Sequence, residues 1–340
     1  MISDKKYKMA VVVPIFNVEK YVEEMLNGLL KQTFENFIIF LIDDGSTDNS
    51  LSIINNFSRN DSRIHVIKKE NGGPGSARNA GLDYIERAGF VFDYIWFCDA
   101  DDRVDENVIE TVVDAMDRKK ADYALISVKK FDKVNQICHK ASIKKETILN
   151  NNDIVRQYFR FGMRWRKEPC SEAFLNNKFF RYHLIKRYRF REDIYRSEDF
   201  DYFVKIIPLL ERGVLIPDIF YWYRLRKSSL TNALTKTGDL KVCLEHYPTL
   251  KIRSRIEQIA MQHKLIRSFY LEVCAAWTYK DKDTINKIQS EFAEFNFLYP
   301  FQKSDYKILF FLKYATKLIP IFMMIREYTK RNRTIDNFYD

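Results

Sequence analysis

Three carboxylates close an apolar run at Phe97-Cys98-Asp99-Ala100-Asp101-Asp102, and such a group can hold a divalent cation. Hard cations such as Mg²⁺ and Mn²⁺ take oxygen ligands, and one or two acids together with diphosphate oxygens complete an octahedron without a protein cage. The preceding run, Phe90 to Cys98, is too aromatic and apolar to be solvated and is predicted as a buried strand whose end delivers the acids together. A turn of aspartates capping a helix near Asp105 accounts for the same residues without a metal. Both readings stand at this level.

Three earlier segments end in comparable chemistry. Met9 to Asn17 is a continuous apolar run interrupted at Pro14, which suits a strand buried on both faces of a parallel sheet. Val22, Met25, Leu26, Leu29 and Leu30 recur at helical spacing, and the next strand, Phe37 to Ile42, ends in Asp43-Asp44-Gly45-Ser46-Thr47-Asp48. Ile64 to Ile67 leads into Asn71-Gly-Gly-Pro-Gly-Ser-Ala-Arg-Asn-Ala-Gly81 and a helical stretch to about Arg87. Three successive strand-to-helix units imply right-handed crossovers and a mostly parallel sheet, an α/β fold. In such sheets ligands bind beyond the carboxyl ends of the strands. The marked residues all fall there, so acids, a glycine-rich loop and one arginine converge on a nucleotide-diphosphate site. The loop is not a Walker loop, since it lacks the Gly-Lys-Ser/Thr ending. Nor is it the dinucleotide fingerprint, which belongs after the first strand, where this chain has no glycine until Gly28.

The ordered series Val-Pro-x-Phe-Asn, Asp-Asp-Gly-Ser-Thr-Asp, Gly-x-x-x-Ala-Arg-Asn-x-Gly and Asp-x-Asp-Asp resembles the inverting family 2 glycosyltransferases of the GT-A fold, of the bacterial surface-polysaccharide type. Ser197-Glu198-Asp199-Phe200 resembles that family's Glu-Asp segment, and Phe220 to Thr231 its tyrosine-arginine-serine segment. The resemblance covers roughly residues 8 to 232.

The resemblance implies a role for each matched position. Asp44 accepts a hydrogen bond from the uracil imide, as an acceptor-only carboxylate would, while Asp43 is the structural turn acid. Pro14 and Phe16 line the base pocket; Phe16 replaces the family's common tyrosine and keeps only the aromatic face. Asn71 and Arg78 contact the donor, with Arg78 at a helix opening where phosphate is favoured. Asp101 is the metal ligand for Mn²⁺ or Mg²⁺, Asp99 reaches the ribose or a metal-bound water, and Asp102 is a second ligand. Asp199 is the base that deprotonates the acceptor hydroxyl, a job worth roughly 10²–10⁴-fold. Arg224 and Arg226 clamp the leaving diphosphate, with Ser229 nearby. Each has a structural rival. Phe16 can be core, Arg78 a solvated helix residue, Glu198 and Asp199 first-turn helix acids, and Tyr-x-Tyr-Arg an ordinary edge strand.

Composition fits an enzyme with an extension. The chain has 340 residues, 46% of them hydrophobic, enough for a sizeable core. Its five cysteines, Cys98, Cys138, Cys170, Cys243 and Cys274, form no Cys-x-x-Cys pair, which argues against zinc ribbons and a disulfide framework. Met1-Ile-Ser-Asp-Lys-Lys runs directly into the first strand, so a cytoplasmic protein is expected. Residues 1 to 150 carry 21 basic and 24 acidic side chains, whereas 151 to 340 carry 35 and 22. The second half therefore meets something anionic. Aromatics interleaved with Arg and Lys between Arg156 and Arg191 suit stacked bases, but no nucleic acid is expected, because the chain ends in a basic, apolar segment. Asp305 to Arg333 is broken by Pro320 and interrupted by Lys313 and Lys317, so it is read as lying in an anionic membrane interface rather than spanning it. Packing on protein is the alternative.

The expected organisation is a catalytic domain over 1–232 and a helical extension over 233–340, with helices near Leu240 to Glu257, Gln262 to Tyr279 and Thr284 to Phe295. The expected partners are a UDP-sugar donor and a glycan or lipid-linked glycan acceptor, the latter by analogy alone. Two rivals are a sugar-nucleotide nucleotidyltransferase of related fold and a non-catalytic basic module on a transferase core.

Overall fold

Tyr7–Ile15 forms β1 and Phe37–Asp44 forms β2; Met9 to Val13 and all of β2 are buried. Strands apolar on both faces belong inside a parallel sheet covered by helices. β1 indeed lies parallel to β2 on one side and to β4 (Phe92–Phe97) on the other, while β3 (Ile64–Lys69) lies parallel to β2. The structure, a computed structural model, describes residues 7–131, 136–137, 145–159, 175–194, 197–225, 239–246, 255–278 and 282–294.

The crossovers are helices. α1 (Val22–Leu30) buries Val22, Met25, Leu26 and Leu29, the stripe its sequence predicts, each contributing about 1.5–3 kcal/mol. α2 (Ser50–Asn60) follows β2, and α3 (Gly73–Arg87) follows β3. The sequence reads Gly72 to Gly75 as loop, but α3 already begins at Gly73. Pro74 sits in its first turn, where a missing N–H costs nothing. The helix lies so close to the sheet that a Cβ at Gly81 would stand 2.9 Å from Ile42 Cδ1 and Val12 Cγ1.

Beyond β4 come β5 (Arg103–Val104), α4 (Val108–Lys119), β6 (Tyr123–Phe131), β7 (Gln136–Ile137), β8 (Thr147–Asn150) and α5 (Asn151–Phe159). Then follow β9 (Lys178–Arg181), α6 (Tyr182–Ile185), α7 (Glu198–Ile206) and β10 (Arg212–Arg224). The sheet order is β3-β2-β1-β4-β9-β6-β10-β5. β9 runs antiparallel between β4 and β6, so the parallel pattern holds through the first half and becomes mixed in the second. β10 is an interior strand rather than an edge, parallel to β6 and flanked on its other side by β5 and β8. Its register slips between Ile216 and Tyr221, around Pro217, which cannot donate to a ladder.

Contacts divide the chain into Met1–Lys227 and Ser228–Asp340. In the second unit α9 (Arg255–Thr278) packs against α8 (Asp239–His246) and α10 (Lys282–Glu294), burying Val242, Cys243, Met261, Leu265, Ile266, Phe269, Ile285 and Ile288. The helix expected over Leu240 to Glu257 is described as α8 from Asp239 to His246, and residues 247–254 of that expectation lie outside the described residues. Among the described residues no helix is long and apolar enough to cross a membrane. The segment Asp305 to Arg333 lies outside the described residues.

Candidate active site

The carboxyl ends of β1, β2, β3 and β4 do form one edge, and the acid cluster follows β4 directly. Its most buried member is Asp102, 1% exposed. Asp102 Oδ2 accepts from Tyr221 Oη at 2.7 Å and Asn176 Nδ2 at 3.3 Å, and Oδ1 accepts from the Arg224 N–H at 2.8 Å. Asp102, expected as a second metal ligand, is buried with both carboxylate oxygens hydrogen-bonded to the protein. Its oxygens are engaged in strapping the acid loop to β10 and to the entry of β9. Burial, then repulsion from Asp101 and Asp99, pushes its carboxyl well above the usual carboxylate range. Burial likewise raises the Tyr221 phenol, with Asp102 adding to the effect, so Tyr221 stays a donor.

Asp99 is the more open acid, its side chain 32% exposed. Its Oδ2 accepts from Asn176 Nδ2 at 2.9 Å and its Oδ1 from Arg78 Nη2 at 3.1 Å. Asp101 is partly exposed, and its carbonyl oxygen accepts from Arg224 Nε at 2.7 Å. Arg224, expected on the diphosphate, thus braces the loop; Nη2 also bonds Glu24, and the guanidinium lies over the rings of Phe131 and Tyr21. Arg226 and Ser229 lie outside the described residues. No three carboxylates, histidines or cysteines among the described residues form a closed cation cage. An open set of one or two acids is what a diphosphate-bound cation needs.

Arg78 is placed differently from its sequence reading. It is 6% exposed, with Nη2 on Asp99 and Nη1 on Glu198 Oε1 at 2.9 Å. Burial disfavours the charge, but Asp99, Glu198 and Asp199 outweigh it and hold the guanidinium above its ordinary pKa. Arg78 therefore links the acid loop to the first turn of α7. Its neighbours in the motif do similar work. Asn79 exchanges hydrogen bonds with the Phe190 backbone, at 2.9 and 2.8 Å, and Ser76 Oγ donates to Glu192 at 3.0 Å. A Cβ at Gly75 would stand 2.9 Å from the Arg191 carbonyl oxygen. The Gly-x-x-x-Ala-Arg-Asn-x-Gly motif docks Phe190, Arg191, Glu192 and Glu198.

Ser197 precedes α7, and its φ of +67° is a strained value for a non-glycine residue. Glu198 and Asp199 then occupy the first turn, as the sequence implies. Asp199 is partly exposed; its Oδ1 accepts from the Phe200 N–H at 2.7 Å, and its carbonyl oxygen accepts from Tyr158 Oη at 3.4 Å.

At the other end of the edge, Asp44 is 2% exposed and organises the start of α3. Oδ1 accepts from Lys69 Nζ at 2.7 Å and Gly72 N at 3.0 Å, and Oδ2 from Gly73 N at 2.8 Å. Asn71 Nδ2 donates to the Asp44 carbonyl at 3.0 Å. Asp43 is fully buried beside it, its Oδ1 accepting from Ser46 N at 3.4 Å. Pro14 is partly exposed and Phe16 is 44% exposed, so Phe16 is a surface ring and not core.

Sequence reasoning misses Asn176 and Tyr221. Asn176 is 2% exposed, bridges Asp99 and Asp102, accepts from Trp96 Nε1 at 2.7 Å on its carbonyl, and leaves Oδ1 without a partner. Nothing in the run Asn176-Asn177-Lys178 marks it, because its neighbours are set by the antiparallel insertion of β9. Tyr221 lies within the segment that resembles the family, but its partner is 119 residues away.

A family model described as glycosyl transferase family 2 matches residues 10–189. Glycosyltransferase GlyG of Streptococcus pneumoniae is 33% identical over 227 residues, covering 65% of this chain and 72% of GlyG. GlyA of the same species is 29% identical over 239 residues, 67% of this chain but only 32% of GlyA. The crystal structure of Staphylococcus aureus TarS 1–349 in complex with UDP-GlcNAc superposes with a TM-score of 0.57 at 20% identity, over 84% of this chain and 92% of that one. A family match over more than half the chain sets aside the nucleotidyltransferase and the non-catalytic module: the protein belongs to glycosyl transferase family 2 and is a glycosyltransferase of the GT-A fold.

Proposed function

We propose that the chain transfers a sugar from a UDP-sugar, with inversion at the anomeric carbon, to a hydroxyl of a glycan or lipid-linked glycan in the synthesis of a bacterial surface polysaccharide. The observation that carries this is the continuous polar chain from Asp102 through Asn176, Asp99 and Arg78 to Glu198. It fixes an acid loop suited to a diphosphate against the turn that bears Asp199. The TarS likeness adds support, since that neighbour holds UDP-GlcNAc.

In this reading Asp199 takes the acceptor proton as the hydroxyl oxygen bonds the anomeric carbon, and the bond to the diphosphate oxygen breaks with its electron pair leaving on UDP. Asp101 holds Mn²⁺ or Mg²⁺, with Asp99 beside it. The donor set fits such a cation: Asp101 and Asp99 are partly exposed carboxylates on one loop, and oxygen donors of that kind suit a hard divalent ion. When bound, the cation neutralises the diphosphate as it departs. The basic second half is proposed to hold the enzyme at the inner, anionic face of the cytoplasmic membrane.

UDP release from a panel of UDP-sugars, with Mn²⁺ present and then chelated, tests the proposal. Metal-dependent release from one donor is expected. Absence of both turnover and UDP binding overturns the uridine reading, and release unaffected by chelation removes the metal.

A further inference from the structure

Nucleobase edges are read by hydrogen bonds, and two neighbouring strands end here with an acceptor beside a donor. Asp44 on β2 and Lys69 on β3 are direct partners in a parallel pair, so their side chains leave the same face of the sheet. Lys69 Nζ lies 2.7 Å from Asp44 Oδ1 and also donates to the Glu70 carbonyl. An ammonium has three N–H donors and a carboxylate about four acceptor positions. With Gly72 N and Gly73 N also on Asp44, each member of the pair keeps one hydrogen-bonding position among the described residues. Lys69 is held against the loop backbone, because a Cβ at Gly72 would stand 2.9 Å from its Nζ, yet its side chain remains 22% exposed. The exposed ring of Phe16 stands one residue past the end of β1, the strand flanking β2 on its other side.

We infer that Lys69 is a base-specificity residue, donating to a ring carbonyl of uracil while Asp44 accepts from the adjacent imide N–H. This rests on the uridine-donor reading and names the pair that selects the base. Uracil presents O2, N3–H and O4 in order, so the pair is met whichever carbonyl lies toward Lys69. Cytosine sets a bare ring nitrogen against the carboxylate, and its amino group, where it falls on the Lys69 side, sets N–H against an ammonium. Adenine makes the same reversal. A site built to hydrogen-bond one pattern rejects the reversed pattern strongly, since its own polar groups are left unpaired. Guanine matches the pair through N1–H and O6, so its exclusion falls to ring size. The contact from Lys69 is charge-assisted, the stronger kind.

Equilibrium binding of UDP, 2-thio-UDP and 4-thio-UDP, with Mn²⁺ present, to the full chain and to Lys69→Met and Lys69→Gln tests this, since sulfur accepts hydrogen bonds poorly. On the unaltered chain one thio analogue is expected to bind about tenfold more weakly than UDP. In Lys69→Met, UDP itself should weaken about tenfold and the thio penalty should vanish; Lys69→Gln, which keeps an N–H donor, should recover part of both. A residue that merely anchors the loop would leave the thio penalty in place in the Met variant, and that result overturns the inference, as does the absence of any penalty on the unaltered chain. Should Lys69→Met fail to fold, an undiminished penalty in Lys69→Gln overturns it equally. If the unaltered chain binds another nucleoside diphosphate and not UDP, the donor reading itself has failed, an outcome distinct from all of these.

Discussion

In the first half of the sheet, the last residues of β1, β2 and β3 reach no further than a neighbouring strand-helix unit, so each piece of the proposed donor site there is built from nearby sequence. Asp44 organises the start of α3 only 28 and 29 residues on, and Phe16 directly follows its strand. In the second half the site is assembled from distant parts. Tyr221 and Arg224 reach Asp102 across 119 and 122 residues, and Glu198 reaches Arg78 across 120. The donor half can be shaped by βα units as they form. The half that completes the acid loop and carries Asp199, the proposed base, depends on β9 and β10 having taken their places in the sheet. Arg78 is the joint between the two, a buried guanidinium paired with Asp99 on one side and Glu198 on the other.

Removing the proposed base should separate the halves most sharply. Asp199→Asn is expected to lower transfer by about 10²–10⁴-fold, with UDP affinity in titration unchanged, because the donor contacts lie in the other half. A parallel fall in UDP affinity would show that α7 supports the donor site and that the division is drawn wrongly.

Breaking the joint should register as stability. Arg78→Met leaves Asp99 and Glu198 facing each other without their shared cation, and removal of one partner from a buried ionic group costs about 3–5 kcal/mol. Urea unfolding should show that loss, and adding Glu198→Gln should return part of it. Additive losses would mean that Arg78 and Glu198 act independently. Asn176→Ala should cost less, about 1–3 kcal/mol, for two hydrogen bonds to buried or half-buried carboxylates. It should also weaken Mn²⁺-dependent UDP binding, since Asp99 loses its lateral support; unaltered binding would confine Asn176 to the fold.

The same division explains what could be read from sequence. β1, α1, β2 and β4 are visible as apolar runs and helical spacing because each buries its own apolar residues, and α2 and β3 follow from the strand-helix alternation and the turn acids between them. Ser197 to Asp199 is also visible as a helix start. What Arg78 touches is not, since a motif shows residue type and spacing while its partners Asp99 and Glu198 are chosen by the fold. The motif's residue types point to a ligand, whereas in the fold Gly75, Ser76, Arg78 and Asn79 face Arg191, Glu192, Glu198 and Phe190 of the same chain. Asn176 gives no signal at all. Its importance comes from β9 running antiparallel between two strands of different units, a pairing that no local pattern encodes.

The smallest effect tests whether the first half is self-contained. His65 on β3 lies away from the acids, stacked on Phe40 at 5.5 Å and edge-on to Phe90 at 5.2 Å, with Tyr84 Oη 3.5 Å from its Nδ1. Burial lowers its pKa below the ordinary 6.5. The fold thus favours the neutral ring, while the unfolded chain takes up the proton at higher pH. Stability from this site is complete above the ordinary value and is lost as pH falls through the lowered one. His65→Phe, which keeps a ring in the cluster, should therefore flatten the fall in urea midpoint between about pH 7 and pH 5 and leave UDP affinity at pH 7 untouched. A variant with the same pH slope as the unaltered chain would put the acid sensitivity elsewhere. One with weakened UDP binding would show that packing behind β3 reaches Lys69, the last residue of the same strand, and that even the local half transmits strain along its length.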